Sequence, residues 1–185
     1  KALPNKEALI DSYVRKKENT ICKIDVASLI DLGDDVVNLE FHSKMNAVGG
    51  DTLQAIQHAI DLTEDNYKGL VIANQGQNFS VGANLAMIFM MAVEQDYDEL
   101  DFAVRAFQQT TQKIRYSNIP VVAAPHAMTF GGGCEIAMHA DITQAAAETY
   151  MGLVEMGVGL IPGGGGTKEM ALRASALFNQ GAIQT

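Results

Sequence analysis

The sequence predicts an α/β domain, and three observations support this prediction. Short apolar runs typical of buried strands recur along the chain. Segments with apolar residues at helical spacing lie between them, and glycine or proline marks most of the boundaries. Strands that alternate with helices are characteristic of α/β domains. The 185 residues, 48% hydrophobic and 19% charged, suit one globular domain with a full core.

The first predicted structure is a β-hairpin. Residues 1–20 are charged and weakly patterned, so we expect a solvated helix or a linker from a preceding segment there. Residues 21–30 and 36–41 are apolar and flank the turn signal Gly33-Asp34-Asp35, which predicts two paired strands. The domain is therefore expected to occupy residues 21–185.

A helix and a buried strand follow. Asp51, with Gln54 three residues later, predicts the helix N-cap. The apolar run at 69–73, which comes after this helix, is typical of a buried strand. The predicted apolar stripe of the helix is Leu53, Ile56 and Ile60.

The middle of the chain predicts a loop at 75–85, a methionine-rich segment at 87–91 and a long helix. A methionine-rich stripe is found in a protein core more often than at a ligand pocket, so the core is favoured and the pocket stays open. Pro120 ends the pattern of the long helix. The stripe of that helix is Leu100, Val104, Phe107, Thr111 and Ile114.

The last part predicts two more buried strands, at 121–125 and 142–147. Between them Gly131–Gly133 opens a short helix that runs through His139. The run Gly163–Gly166 forms a turn before a final helix that starts near Thr167.

Composition excludes several classes of function. The net charge of −9 argues against a nucleic-acid partner, which would need a basic face. The longest apolar stretch, 85–93, is about half the length of a membrane span, and no signal peptide is visible. Cys22 and Cys134 make no disulfide framework and predict reduced thiols in a cytoplasmic protein. Because the chain begins at Lys1, we expect a piece of a longer protein.

The most informative feature is Gly131–Gly133, followed by Cys134 and Glu135, with Glu155 twenty residues after Glu135. Glycine lets the backbone approach a ligand closely, and amides that open a helix can donate to a developing anion. A nearby carboxylate can move a proton, so these parts suggest enolate chemistry beside a carbonyl. The alternatives are tight helix–strand packing for the glycines and solvated surface positions for the glutamates.

Two other kinds of site are disfavoured. No GxGxxG element follows the first strand. The glycine run at 163–166 is not a GxxxxGK[ST] phosphate loop either, because Thr167 precedes Lys168 where that loop has Lys before Ser or Thr. Glu135 and His139 lie four residues apart and could present two metal ligands, but no third ligand can be named. We therefore expect no metal, and we expect His139 to be a partly buried structural residue.

Three separated motifs carry a resemblance to a known family. FSVGANL at 79–85, TFGGGCEIAMHADI at 129–142 and GLVEMGVGLIPGGGGT at 152–167 resemble, in order and spacing, elements of the crotonase (enoyl-CoA hydratase/isomerase) superfamily. The resemblance implies a crotonase-like ββα spiral, here truncated before its C-terminal helical part. The sequence departs from the family pattern at Asn84 (usually Asp) and Gly164 (usually Ala), and has Ala127 where Gly is common.

The resemblance also implies roles for individual residues. The Ala83 and Gly132 amides would form the oxyanion hole for a thioester carbonyl. Glu135 would orient or deprotonate the water that attacks the β-carbon, and Glu155 would supply a proton to the α-carbon. Coenzyme A would be part of the substrate, and no separate cofactor is expected. The expected substrate-binding residues are Lys44, Ala47, Gly82, Gly131, Gly163 and Met87.

By this resemblance the expected function is hydration of a trans-2-enoyl-CoA in fatty-acid β-oxidation. The chain is most similar to the hydratase module of a bacterial multifunctional 3-hydroxyacyl-CoA dehydrogenase. The alternatives are a Δ3–Δ2 enoyl-CoA isomerase, which typically works with one carboxylate, and a non-catalytic acyl-CoA-binding module. A homotrimer or hexamer is expected if the C-terminal helices are restored.

Overall fold

The structure is a computed structural model that describes residues 19–24 and 26–182. The short 3₁₀ turns Lys44–Asn46 and Glu155–Val158 accompany its strands and helices. The strands are β1 Thr20–Ile24, β2 Ala27–Gly33, β3 Val36–Phe41, β4 Gly69–Ile72, β5 Val121–Ala123, β6 Met128–Phe130, β7 Ile142–Thr143 and β8 Tyr150–Gly152. The helices are α1 Gly50–Asn66, α2 Leu85–Val93, α3 Tyr97–Arg115, α4 Gly132–His139 and α5 Gly166–Ala182.

The main sheet has six strands in the order β1-β2-β3-β4-β5-β7. The pairs β3–β4, β4–β5 and β5–β7 are parallel, and α1 and α3 lie in the connections between the strands of the first two of these pairs. This alternation confirms the predicted α/β class. The strands β6 and β8 form a second, two-stranded parallel sheet.

The predicted hairpin is confirmed, but its first strand is wrong in extent. β2 and β3 pair antiparallel across Asp34 and Asp35, which have φ of 54° and 62°. Aspartate tolerates this left-handed region better than most residues. The apolar segment 21–30, however, contains most of β1 and the start of β2, which pair with each other. Of the predicted linker at 1–20, residues 1–18 lie outside the described residues, and Thr20 already belongs to β1.

The core lies between the sheet and α1. The predicted stripe of α1, Leu53, Ile56 and Ile60, is buried. The predicted N-cap is wrong, because Gly49 is the capping residue and Asp51 lies in the first turn. A carboxylate there still interacts favourably with the helix dipole.

The predicted strand at 142–147 is also wrong in extent and burial. Only Ile142 and Thr143 form β7, and the Ile142 side chain is 59% exposed. β7 is the edge strand of the sheet, so apolar residues there gain no cover from a further strand. No helix in the described ranges is long and apolar enough to cross a membrane.

Candidate active site

Two glycine-containing loops lie in direct contact. One is the segment 79–84 after β4, and the other joins β6 to α4. The Phe130 amide donates to the Ser80 carbonyl at 2.9 Å. A Cβ atom at Gly82 would lie only 2.8 Å from the Phe130 carbonyl oxygen and 3.2 Å from the Gly132 nitrogen. Glycine at position 82 therefore permits this close approach of backbone to backbone.

The amides of Ala83 and Gly132 are neighbours at this contact. A Cβ atom at Gly132 would lie 3.7 Å from the Ala83 nitrogen. Neither amide donates a hydrogen bond within residues 19–24 and 26–182. Gly132 is the first residue of α4, where the helix dipole favours a negatively charged ligand. Two donors are thus available side by side.

Glu135 lies in the first turn of α4 and is only 1% exposed. Its Oε1 atom accepts hydrogen bonds from the Gly164 and Gly166 amides, both at 2.9 Å. Burial raises the pKa of the Glu135 carboxyl, the Gly166 hydrogen bond opposes this, and the charge of Glu155 raises it further. A buried carboxyl with a raised pKa is suited to proton transfer near neutral pH.

Glu155 approaches the start of α4 from another element. It begins the 3₁₀ turn that follows β8, and a Cβ atom at Gly131 would lie 3.1 Å from its Oε1 atom. β8 is held beside the start of α4 because the Gly131 amide donates to the Gly152 carbonyl at 2.9 Å. Among the described residues, the buried Oε2 atom of Glu155 has no hydrogen-bond partner. The Glu155 carboxylate therefore lies at the Gly131–Gly132 turn, close to both amides, and its charge acts on the Glu135 carboxyl.

The glycine run Gly163–Gly166 has a role that sequence reasoning missed. It was predicted as a turn with Gly163 near the substrate, but its amides hold Glu135. Helix α3 holds its other side, because Gln108 donates to the Gly163 carbonyl at 2.8 Å and Thr111 donates to the Gly164 carbonyl at 2.9 Å. Four consecutive glycines offer closely spaced free amides, which is the signal that could have indicated a carboxylate partner.

The Phe107 ring fills the space between these parts. A Cβ atom at Gly132 would lie 3.1 Å from its Cζ atom, and one at Gly164 would overlap the ring. The departure noted at position 164 thus has a physical reason, since glycine there leaves room for the Phe107 ring and the Glu135 carboxylate.

The remaining predicted site residues lie around this centre. Lys44 is exposed on the first 3₁₀ turn, and Ala47, at the end of that turn, is half-buried. The next residue, Val48, donates to the Gly82 carbonyl at 2.8 Å, so the Lys44–Ala47 segment lies beside the first glycine-containing loop. Met87 is 47% exposed on α2.

The core interpretation of the methionine-rich segment is wrong. None of the residues of α2 is buried, so this helix presents an apolar surface. Asn84 caps it, accepting a hydrogen bond from the Met87 amide at 3.4 Å. An asparagine in place of the family's usual aspartate therefore keeps the capping function.

The chain is similar to known proteins over most of its length. A family model described as enoyl-CoA hydratase/isomerase matches residues 33–183. A probable 3-hydroxyacyl-CoA dehydrogenase from Bacillus subtilis is 57% identical over 166 residues, which is 90% of this chain and 21% of that protein. A crotonyl-CoA hydratase from Syntrophomonas wolfei is 33% identical over 129 residues, 68% of this chain and 48% of that protein.

Solved structures are similar over most of this chain. An enoyl-CoA hydratase from Bacillus anthracis superimposes with a TM-score of 0.71 at 25% identity, covering 79% of this chain and 57% of that one. One from Thermoplasma volcanium gives a TM-score of 0.70 at 26% identity, covering 83% and 62%. These similarities confirm the predicted fold. The chain spans about a fifth of the first curated relative and about half of the second.

Proposed function

This chain belongs to the enoyl-CoA hydratase/isomerase family, within the crotonase superfamily, and we propose that it adds water across the 2,3 double bond of a trans-2-enoyl-CoA. One observation carries the proposal. The Glu155 carboxylate lies at Gly131, beside the neighbouring Ala83 and Gly132 amides, and its charge acts on the buried Glu135 carboxylate of another element.

In the proposed mechanism the thioester oxygen accepts hydrogen bonds from the Ala83 and Gly132 amides. Water attacks the β-carbon, and negative charge develops on that oxygen as the enolate forms. A fixed donor directed at such charge contributes about 2.7–4 kcal/mol to lowering the barrier. Because the two amides belong to loops in direct contact, they are held in place before the substrate arrives.

The two glutamates move the protons of the added water. Glu135 accepts one proton from water as the water oxygen forms a bond to the β-carbon. Glu155 gives a proton to the α-carbon. A proton then passes from Glu135 to Glu155 and restores both carboxyls, so that the sum is one water added and one double bond lost. Burial, which raises the pKa of Glu135, brings this base nearer to the operating pH, where acid–base catalysis contributes about 10²–10⁴-fold.

Substrate binding is proposed for the residues that surround this centre. Exposed Lys44 lies on the segment beside Gly82 and could meet the phosphates of coenzyme A. Gly131 presents backbone beside the Glu155 carboxylate, Gly163 begins the glycine run that holds Glu135, and Met87 presents an adaptable apolar side chain on α2. Ala47 is proposed to contact the substrate from the end of the Lys44 segment.

The context of the reaction is also a proposal. The dehydrogenase relative named above is much longer than this chain, which supports a hydratase segment within a multifunctional β-oxidation protein. The predicted trimer or hexamer and the cytoplasmic location stay predictions. The Δ3–Δ2 isomerase is the nearest alternative, since the same family description covers both activities.

The test is hydration of crotonyl-CoA, followed as loss of the conjugated enoyl-thioester absorbance. Glu135→Gln and Glu155→Gln are each expected to abolish turnover and keep substrate affinity. Glu148→Gln is the matched control, because Glu148 is an exposed glutamate outside the site. Conversion of a 3-enoyl-CoA with no hydration would instead establish the isomerase, and binding without either reaction would establish a non-catalytic module.

A further inference from the structure

A cluster of titratable side chains, two of them buried, lies one helical turn beyond Glu135. His139, at the end of α4, is 0% exposed, and Glu169, in the first turn of α5, is 1% exposed. The His139 Nε2 and Glu169 Oε1 atoms are 3.7 Å apart. Lys168 Nζ lies 3.1 Å from Glu169 Oε1, and Arg115, the last residue of α3, lies 3.6 Å from Oε2. Three helices thus meet at one carboxylate.

The hydrogen bonding of His139 shows which nitrogen faces the carboxylate. Nδ1 lies 2.7 Å from the Glu135 carbonyl oxygen, and because a carbonyl only accepts, Nδ1 must donate. Nε2 is therefore the atom directed at Glu169, and it has no hydrogen-bond partner among the described residues. Burying such groups costs free energy that apolar side chains would not cost, so stability alone does not explain this arrangement.

The position of the pair indicates what it does. His139 lies one turn after Glu135 on α4, and Glu169 lies just after the glycine run on α5, with its amide donating to the Gly165 carbonyl at 3.1 Å. A Cβ atom at Gly165 would lie 3.3 Å from His139 Nε2. The pair therefore lies where α5 and the glycine run pack against the helix that carries Glu135.

We propose that His139 and Glu169 are positioning residues, which hold the Gly164 and Gly166 amides against Oε1 of Glu135. Both of those hydrogen bonds fall on Oε1, which leaves Oε2 for the reacting water. This inference rests on the proposed hydratase function. Neither residue contacts the reacting atoms, so each acts only through the orientation of Glu135.

The experiment uses the full-length natural protein with both residues replaced, His139→Leu/Glu169→Leu, so that neither buried polar side chain is left facing an apolar one. Misplacing the base should lower kcat by about 10- to 100-fold with KM for crotonyl-CoA unchanged. In a Glu135→Gln background the same replacement should cause no further loss, because the positioned group is gone. Lys113→Gln, which breaks an ion pair to the exposed Asp61 carboxylate, is the control and should keep wild-type kcat.

A second measurement separates this proposal from the hydratase proposal. Amide hydrogen exchange at Gly164 and Gly166 should become faster in the double variant, while exchange in α1 stays unchanged. If the wild type does not hydrate crotonyl-CoA, the hydratase proposal fails, and exchange alone decides the positioning proposal. Unchanged exchange, unchanged kcat, or an equal loss in the Glu135→Gln background would each overturn it. Should the double variant not fold, Glu169→Gln takes its place under the same criteria.

Discussion

Gly82 offers a quantitative test of how the two glycine-containing loops are brought together. Its backbone has φ of +87°, and a Cβ atom there would lie 2.8 Å from the Phe130 carbonyl oxygen and 3.2 Å from the Gly132 nitrogen. Gly33 has the same φ of +87°, but nothing lies within 4 Å of its Cβ position. Replacing each glycine by alanine therefore separates backbone strain from steric overlap.

The losses of unfolding free energy expected for Gly33→Ala and Gly82→Ala differ only by the cost of steric overlap. An alanine in the left-handed region costs about 1–2 kcal/mol, which is the whole cost at Gly33. At Gly82 the overlap adds about 1–3 kcal/mol, because both contacted atoms belong to backbone that cannot rotate away. Gly82→Ala should thus lose about 2–5 kcal/mol of unfolding free energy, a large share of the roughly 5–15 kcal/mol of a typical domain.

The two variants should differ in activity as well. Relief of the overlap at Gly82 must move the Gly132 amide away from Ala83, and loss of one oxyanion donor costs about 10²–10³ in kcat. Gly33→Ala lies at a distant hairpin turn and should keep wild-type kcat. Urea denaturation gives the two free energies, and hydration of crotonyl-CoA gives the two rates. Equal losses of stability, or an active Gly82→Ala protein, would refute this account of the loop contact.

Three further predictions concern Glu135, Cys134 and Asn84. Because the folded-state pKa of Glu135 is raised by burial, its stabilising contribution is present below the unfolded pKa and is lost as pH rises through the folded pKa. Glu135→Gln should therefore raise Tm at pH 8, by an amount that shrinks as pH falls, and a lower Tm at pH 8 would contradict this sign. Burial raises the pKa of the Cys134 thiol to about 11, so iodoacetamide at pH 8 should leave Cys134 unmodified in the folded protein. Peptide mass analysis measures the labelling, and a modified Cys134 would disprove this expectation. Asn84→Ala should destabilise α2 by about 0.5–2 kcal/mol, whereas Asn84→Asp should stabilise it by about 0.3–1 kcal/mol through the helix dipole. Amide exchange in α2 measures both changes, and a shift in the same direction for both variants would exclude the capping role.

The sequence alone determined the fold class and the family, because both depend on local patterns. The apolar run at 69–73 and the stripe Leu53, Ile56 and Ile60 follow strand and helix periods, which hold without knowledge of neighbours. The motifs around Gly82, Gly132 and Gly163 likewise depend on short spacings. Their order and spacing are what predicted the family that the comparisons then showed.

Burial and long-range partners required the tertiary structure. The methionine-rich segment at 87–91 has the composition of a core element, yet none of its residues on α2 is buried. The strand predicted at 142–147 shortens to two residues, because β7 is an edge strand. Composition measures how apolar a segment is, and only the arrangement of other elements decides whether anything covers it.

The candidate site divides in the same way. Glu135 and Glu155 could be named from the sequence, since motif spacing points to them. That the Gly164 and Gly166 amides hold Glu135, and that His139 faces Glu169, depended on contacts between residues about 30 positions apart. A local pattern specifies which groups are available. The packing of α3, α4 and α5 decides which of them meet, because a buried polar group takes whichever partner the fold places within hydrogen-bond distance.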